Sequence, residues 1–289
     1  MENTFFIPKD QNLLDPTLDS TFKTLFTKSS QGSKHALKSL VRAITGFEPA
    51  DVQVINNELP KEYFYAKDIR LDLQCKMADG SRIDIEMQTC PDGDNLALRS
   101  LYYACRMVSG LDTKGETYQE LSKVYQVMFT DFRMFKESDD YLQRFTLRND
   151  ALELCDNLQL FFIQMPLFKD MGKENFTDME KWIIFLKEST NKDKRDLLNS
   201  IIESDEGIRE AGEILMTISA EEREWALQEM RFKGKRDYES GLLAAKREGI
   251  EAGRNQGKME VARGMKAKNI PMDVIAEITG LSLEQIAVL

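Results

Sequence analysis

Ile69-Arg70-Leu71-Asp72-Leu73-Gln74-Cys75-Lys76-Met77, then Ala78-Asp79-Gly80, then Ser81-Arg82-Ile83-Asp84-Ile85-Glu86-Met87-Gln88 is the stretch on which the reading of this chain turns. Apolar side chains occupy the odd positions from Ile69 to Met77 and from Ile83 to Met87, and polar or charged ones the even positions. Such a period of two belongs to strands with one face buried, and the Gly-containing break between them marks a hairpin. The apolar residues of both strands must share a face, so the paired positions must sum to an even number. A three-residue loop, Ala78-Asp79-Gly80, satisfies this by pairing Met77 with Ser81. It also puts glycine where a type I turn with a G1 bulge needs a left-handed residue. This register sets Asp72 opposite Glu86, Gln74 opposite Asp84 and Arg70 opposite Gln88, on one polar face.

Acids directly opposite one another repel, so the pair Asp72 and Glu86 calls for a compensating charge. A divalent cation is one source of it, since Cβ atoms about 5 Å apart let both carboxylates reach one ion. The same pattern also describes an exposed sheet face on which Arg70, Lys76 and Arg82 balance the acids. His35 is the single histidine, which removes Ser-His-Asp and Cys-His catalysis and His-rich metal sites. Carboxylates then have to carry any chemistry, and they favour a hard ion such as Mg²⁺ or Mn²⁺. Cys75, Cys90, Cys105 and Cys155 are widely spaced with no C-x-x-C pair, the pattern of reduced, buried thiols in a cytoplasmic protein. No apolar run approaches a membrane span, and the first residues lack a basic segment followed by an apolar one, so neither membrane insertion nor secretion is expected.

Around the hairpin, Asp15-Pro16 reads as a helix entry, with Leu18, Phe22, Leu25 and Phe26 at helical spacing and Asp19 and Lys23 as an i,i+4 pair. A second helix runs from about Ser33 to Ile44 and stops at Gly46. Residues 51–59 read as a strand. A helix beyond Asn95 carries Arg99, Tyr102, Tyr103 and Arg106, and Val124 to Phe129 and Leu158 to Ile163 read as buried strands. From Asp178 onward the chain reads as mainly helical, with Glu203–Glu229 as an acidic, solvated surface.

The net charge of −10 is unevenly spread. Residues 1–150 hold 19 basic against 23 acidic side chains and residues 151–230 hold 9 against 18, whereas residues 231–268 hold 11 against 5. The basic segment keeps nucleic acid possible as a partner, because local patches decide phosphate binding. Within it Gly249, Gly253 and Gly257 recur every four residues, a smooth stripe suited to close approach of another helix and so to a homo-oligomer. Met272 to Leu289 reads as two short helices around Gly280-Leu281-Ser282, resembling a helix-turn-helix, with Val274, Ile275, Ile278, Leu281, Ile286 and Leu289 as its core.

The run Lys67 to Asp72, then Gly80, then Ile83-Asp84-Ile85-Glu86-Met87-Gln88 resembles the PD-(D/E)XK nuclease superfamily. More narrowly it is similar to the recombination-promoting nuclease and transposase-like group. The likeness extends to Asp19-Ser20-Thr21-Phe22-Lys23-Thr24-Leu25-Phe26, to Arg99-Ser100-Leu101-Tyr102-Tyr103, to Gly115–Leu121 and to the tail. It implies an α/β restriction-endonuclease-like core, a central mixed sheet flanked by helices, with a mostly helical C-terminal region. On this basis residues 1–170 would form the nuclease-like core and 171–230 an acidic helical segment packing on or beside it. Residues 231–268 would be a basic Gly-repeat helix and 269–289 a helix-turn-helix-like tail. The resemblance further implies an Mg²⁺- or Mn²⁺-dependent DNA endonuclease associated with recombination or transposition. In that role Asp72 and Glu86 hold the metal, Asp19 supports it, and Gln88 stands where the superfamily has lysine. Arg70, Arg99 and Arg106 are candidates for phosphate contact. An inactive DNA-binding or oligomerising member is the alternative. Leu71 stands where the superfamily's name has proline.

Overall fold

The computed structural model describes residues 5–55, 58–59, 69–70, 72–91, 95–111, 121–171, 173–218, 224, 246, 249–250 and 253–289. The chain divides into two compact units, Met1–Gly234 and Lys235–Leu289.

In the first unit the hairpin forms with the expected loop. β4 (Leu73–Met77) and β5 (Arg82–Gln88) pair antiparallel, with Leu73 against Ile85, Gln74 against Asp84 and Cys75 against Ile83. Met77 N–H donates to Ser81 O at 2.8 Å, and Gly80 takes φ +84°, the left-handed conformation the bulge requires. The hairpin is shorter than the alternation suggests. Its ladder ends at Leu73, and Ile69–Arg70 (β3) pairs instead with Glu58–Leu59 (β2) as a separate two-stranded sheet. Arg70 therefore lies opposite Glu58 rather than Gln88. The strand expected over 51–59 likewise resolves into β1 (Val52–Val54), which pairs with β4, and β2.

The six-stranded sheet has the order β1, β4, β5, Val124–Thr130 (β6), Glu153–Gln164 (β8) and Leu142–Arg148 (β7). β6 runs parallel to both β5 and β8 and is buried along its whole length, as its continuous apolar character anticipates. β7 is an antiparallel edge strand that alternation in the sequence did not reveal, because most of its side chains are exposed.

The two faces of β5 serve different purposes. Ile83, Ile85 and Met87 join the main core with α1 (Asp19–Thr27), α2 (Gln31–Thr45), α4 (Asp178–Glu188), α5 (Arg195–Ser204) and α6 (Glu206–Met216). On the opposite face α3 (Leu96–Ser109) packs against β6 and β8 through Leu96, Tyr103 and Met107. Sheet and helices thus form three layers. Segment 171–230 supplies part of the core itself: Trp182, Ile201, Ile208 and Leu215 are buried, so Glu203, Glu206, Glu210 and Glu213 sit on helices whose other side is apolar, while residues 219–223 and 225–230 of the acidic stretch lie outside the described residues. Gly207 lets α6 approach α2 closely, since a Cβ there would lie 2.3 Å from Ser39 Cβ. α1 begins at Asp19 rather than after Asp15-Pro16. Asp15 Oδ1 instead accepts from Thr17 N–H and Oγ1–H, closing a turn before the helix.

α4 starts with a capping box in which Thr177 and Glu180 exchange hydrogen bonds, and the buried Glu180 carboxylate also accepts from Lys173 and from Tyr141 Oη at 3.2 Å. Burial pushes its pKa up, but Lys173 and the Thr177 N–H outweigh that and hold it below the usual range. A depressed acid stabilises the fold above its unfolded pKa and loses that contribution as pH falls through the folded one. Glu180→Gln is therefore expected to cost about 1.5–3 kcal/mol at pH 7, the scale of a charged hydrogen bond. Urea denaturation should show the gap closing as pH falls towards 3. A gap that is independent of pH would contradict the assignment.

The thiols are all free, but only Cys75 is buried; Cys90 and Cys155 are half-buried and Cys105 is exposed. His35 lies within α2, with Nε2 3.0 Å from Gln31 Nε2. In the second unit, helical residues 253–267 (α7), α8 (Met272–Thr279) and α9 (Leu283–Ala287) enclose a small core of Ala262, Ile275 and Ile286. Leu281 and Leu289 pack against it, whereas Val274 and Ile278 are exposed. A Cβ added to Gly249, Gly253 or Gly257 would meet nothing within 4 Å. Among the described residues no helix is long and apolar enough to cross a membrane.

Candidate active site

The break in the hairpin is where the acids meet. Asp72 directly precedes β4, and its N–H donates to Glu86 Oε1 at 3.0 Å in place of a strand carbonyl. In return Asp72 Oδ2 accepts the Met87 N–H at 3.1 Å. The Met87 N–H thus ends on a carboxylate rather than on a strand carbonyl, and Ile69–Arg70 pairs with β2 instead. Glu86 is fixed by the Asp72 backbone, and Asp72 by the backbone of Met87, the residue after Glu86.

Glu86 is 3% exposed. Burial, and then the charge of Asp72, push its pKa up to about 8, against the Asp72 N–H, Arg99 and Lys23, which favour the carboxylate. Asp72 is raised as well, by burial and by Asp19, with Lys23 and the Met87 N–H opposing. Asp84 is fully buried behind this pair. Its Oδ2 accepts from Gln126 Nε2 at 2.6 Å on the parallel neighbour β6, and burial followed by repulsion from Glu86 holds it well above the ordinary range. Among the described residues, Oδ1 of Asp84, Nε2 of Gln74 and Oε1 of Gln126 find no hydrogen-bond partner. Excess negative charge in a dehydrated place is the defining property of this site.

The other candidates are placed as follows. Asp19 opens α1 and pairs with Lys23 at 2.6 Å; Lys23 Nζ also lies 3.5 Å from Asp72 Oδ1, which brings α1 to the acids. Burial opposes the Lys23 charge, but Asp19 and Asp72 outweigh it and raise its pKa. Gln88 is half-buried at the end of β5, level with Thr130 of β6, and its carbonyl accepts the Asp131 N–H at 2.9 Å. Arg99 is half-buried on α3 within electrostatic reach of Glu86, while Arg106 lies two turns further along the helix. The Arg70 side chain lies outside the described residues. Two groups escaped the sequence reading. Lys23 was visible only as a helix partner of Asp19, and Gln126 gave no signal because parallel pairing of β5 with β6 cannot be read from either strand alone.

A family model described as PD-(D/E)XK nuclease family transposase matches residues 16–245. The chain belongs to this family. No curated protein and no solved structure matches it. The mixed sheet flanked by helices is the fold expected of the PD-(D/E)XK family, and membership supports a nuclease- or transposase-like function. PD-(D/E)XK nucleases typically use divalent metals.

Whether the residues present suit such an ion can be judged from the donor set. Among the described residues no three His, Cys, Asp or Glu side chains gather as a closed cage would need. Two adjacent carboxylates do, each with one oxygen committed to the backbone. That is the donor set of Mg²⁺, which is held by one or two carboxylates and completed by water and substrate phosphate. The set fits a hard divalent cation.

Proposed function

We propose that this chain is an Mg²⁺- or Mn²⁺-dependent DNA endonuclease of the cytoplasm, serving recombination or transposition. The reciprocal backbone bonds that pin Asp72 and Glu86 side by side carry this reading. Asp72 and Glu86 are the residues that would hold the ion. When bound, the ion supplies positive charge that neutralises a scissile phosphate and makes a water acidic enough to react at neutral pH.

The chain's own residues do the rest. A carboxylate pair fixed before substrate arrives costs no reorganisation during the reaction. Gln88, on the polar face with Glu86, has an amide oxygen to accept from the attacking water and an N–H to donate to a phosphate oxygen. A neutral amide orients but cannot offset charge, so more of that role falls to cations such as Arg99. In hydrolysis the water oxygen bonds to phosphorus and the bond to the leaving oxygen breaks. The water's proton passes to solvent, and the leaving oxygen is protonated from solvent.

The test is cleavage of supercoiled plasmid by the full chain. Nicking with Mg²⁺ or Mn²⁺ and none with EDTA is expected. DNA binding without any nicking would reduce the protein to a DNA-binding member of its family.

A further inference from the structure

Resemblance to the superfamily puts Gln88 where a lysine is expected, and the cations on the hairpin strands, Lys76 and Arg82, pair at its turn end, away from Asp72 and Glu86. The structure brings one in from elsewhere. Lys23 lies 49 positions before Asp72, yet its Nζ is 2.6 Å from Asp19 Oδ1 and 3.5 Å from Asp72 Oδ1. Its backbone is held in place by the buried neighbours Phe22, Leu25 and Phe26, so the ammonium is not merely a surface group that has drifted inward. Asp72 Oδ2 is tied to the Met87 N–H, which leaves Oδ1 as the oxygen that faces Lys23. An i,i+4 pair on an exposed helix face stabilises little and has no need to turn towards a third, mostly buried acid.

We infer that Lys23 supplies the ammonium that the Gln88 position lacks, contacting a phosphate oxygen of the bound strand beside Asp72, with Asp19 as the residue that positions it. An ammonium has three donors. Asp19 and Asp72 take two, which leaves one N–H for the substrate. Lysine's compact point charge suits a single phosphate oxygen better than a guanidinium fork would. The inference rests on the nuclease reading of the Asp72–Glu86 centre.

The experiment compares the full-length wild type with Lys23→Met and with Lys23→Met/Gln88→Lys. Plasmid cleavage is measured in Mn²⁺, and binding of a short DNA duplex is measured in Ca²⁺ at several salt concentrations. Lys23→Met is expected to cleave roughly 10²–10³-fold more slowly, the scale of a lost electrostatic donor. Its plot of log affinity against log salt should be shallower by about 0.9, one phosphate contact. Restoring an ammonium through Gln88→Lys should recover at least about tenfold of the rate, and thermal unfolding should show all three proteins folded. A purely structural Lys23 would leave the salt slope unchanged and would not be rescued. Either of those results overturns the inference, as does a Lys23→Met protein that cleaves like the wild type. A wild type that cuts no DNA in Mn²⁺ overturns the nuclease reading as well.

Discussion

Glu86→Gln is expected to abolish cleavage and, at the same time, to make the metal-free protein more stable. Both effects follow from one observation, a carboxyl that is 3% exposed beside a second acid. Loss of the charge removes one of the two groups available to the ion, and cleavage should fall by roughly 10³-fold or more, as for other preorganised electrostatic groups. Stability moves the other way. The Glu86 pKa is pushed up to about 8 by burial and by Asp72. An acid raised in this way destabilises the fold as pH rises above the unfolded value of about 4.3, and the cost grows until the folded pKa is passed. A glutamine keeps an oxygen to accept the Asp72 N–H but carries no charge to desolvate. In EDTA at pH 7 the variant should therefore resist urea better than the wild type, by on the order of 2 kcal/mol, with the difference fading towards pH 4. Added Mn²⁺ should raise the wild-type midpoint by mass action, about 2.7 kcal/mol at 100 times Kd, and leave the variant almost unmoved. Lower stability of the variant in EDTA, or equal responses to Mn²⁺, would mean that Glu86 is not part of a strained cation site.

The second large effect is structural and lies on the other side of the sheet. Trp182 is fully buried, with ring centroids 5.7 Å from Phe26 and 5.6 Å from Phe185. Its Nε1–H donates to Ser39 Oγ at 3.1 Å, and Ser39 Oγ–H donates to Asp205 Oδ1 at 3.0 Å. Arg42 of α2 completes the network by donating to Asp205 at 2.8 Å, to Asp178 at 3.1 Å and to Glu48 at 3.1 Å. One side chain thus ties α1, α2 and α4 to the junction of α5 and α6. Trp182→Ala should cost about 3–5 kcal/mol through lost burial and the cavity left behind. Equilibrium denaturation measures this directly, and cleavage per folded molecule should stay within about twofold because Trp182 touches none of the acids. A cost below about 1 kcal/mol would show that segment 171–230 is an appendage rather than part of the core.

That segment illustrates a limit of reading along the chain. The helical character from Asp178 onward was legible, but the excess of acids from Glu203 on hid the apolar stripe of Ile208, Ala211 and Leu215. Charge is conspicuous in composition, whereas a helix needs only a few apolar positions per turn to belong to a core. β7 was hidden for a related reason. Its exposed edge position leaves little of the alternation that burial imposes on one face.

The hairpin was legible because its information is local. A period of two, a parity rule and one glycine determined a three-residue turn, and hence that Gln74 meets Asp84 and that Glu86 stands level with Asp72. Those constraints act between residues fewer than about 20 positions apart and need no knowledge of the remaining chain. Tertiary structure decided where the hairpin stops: Ile69–Arg70 pairs with Glu58–Leu59 instead, and the Met87 N–H is taken by the Asp72 carboxylate. It also decided which other groups join them: Gln126 through the parallel pairing of β6, Arg99 through the packing of α3, and Lys23 through the docking of α1 on the core. Each of these depends on burying a face of one element against another, a condition set by the whole set of apolar surfaces and by no single stretch of sequence.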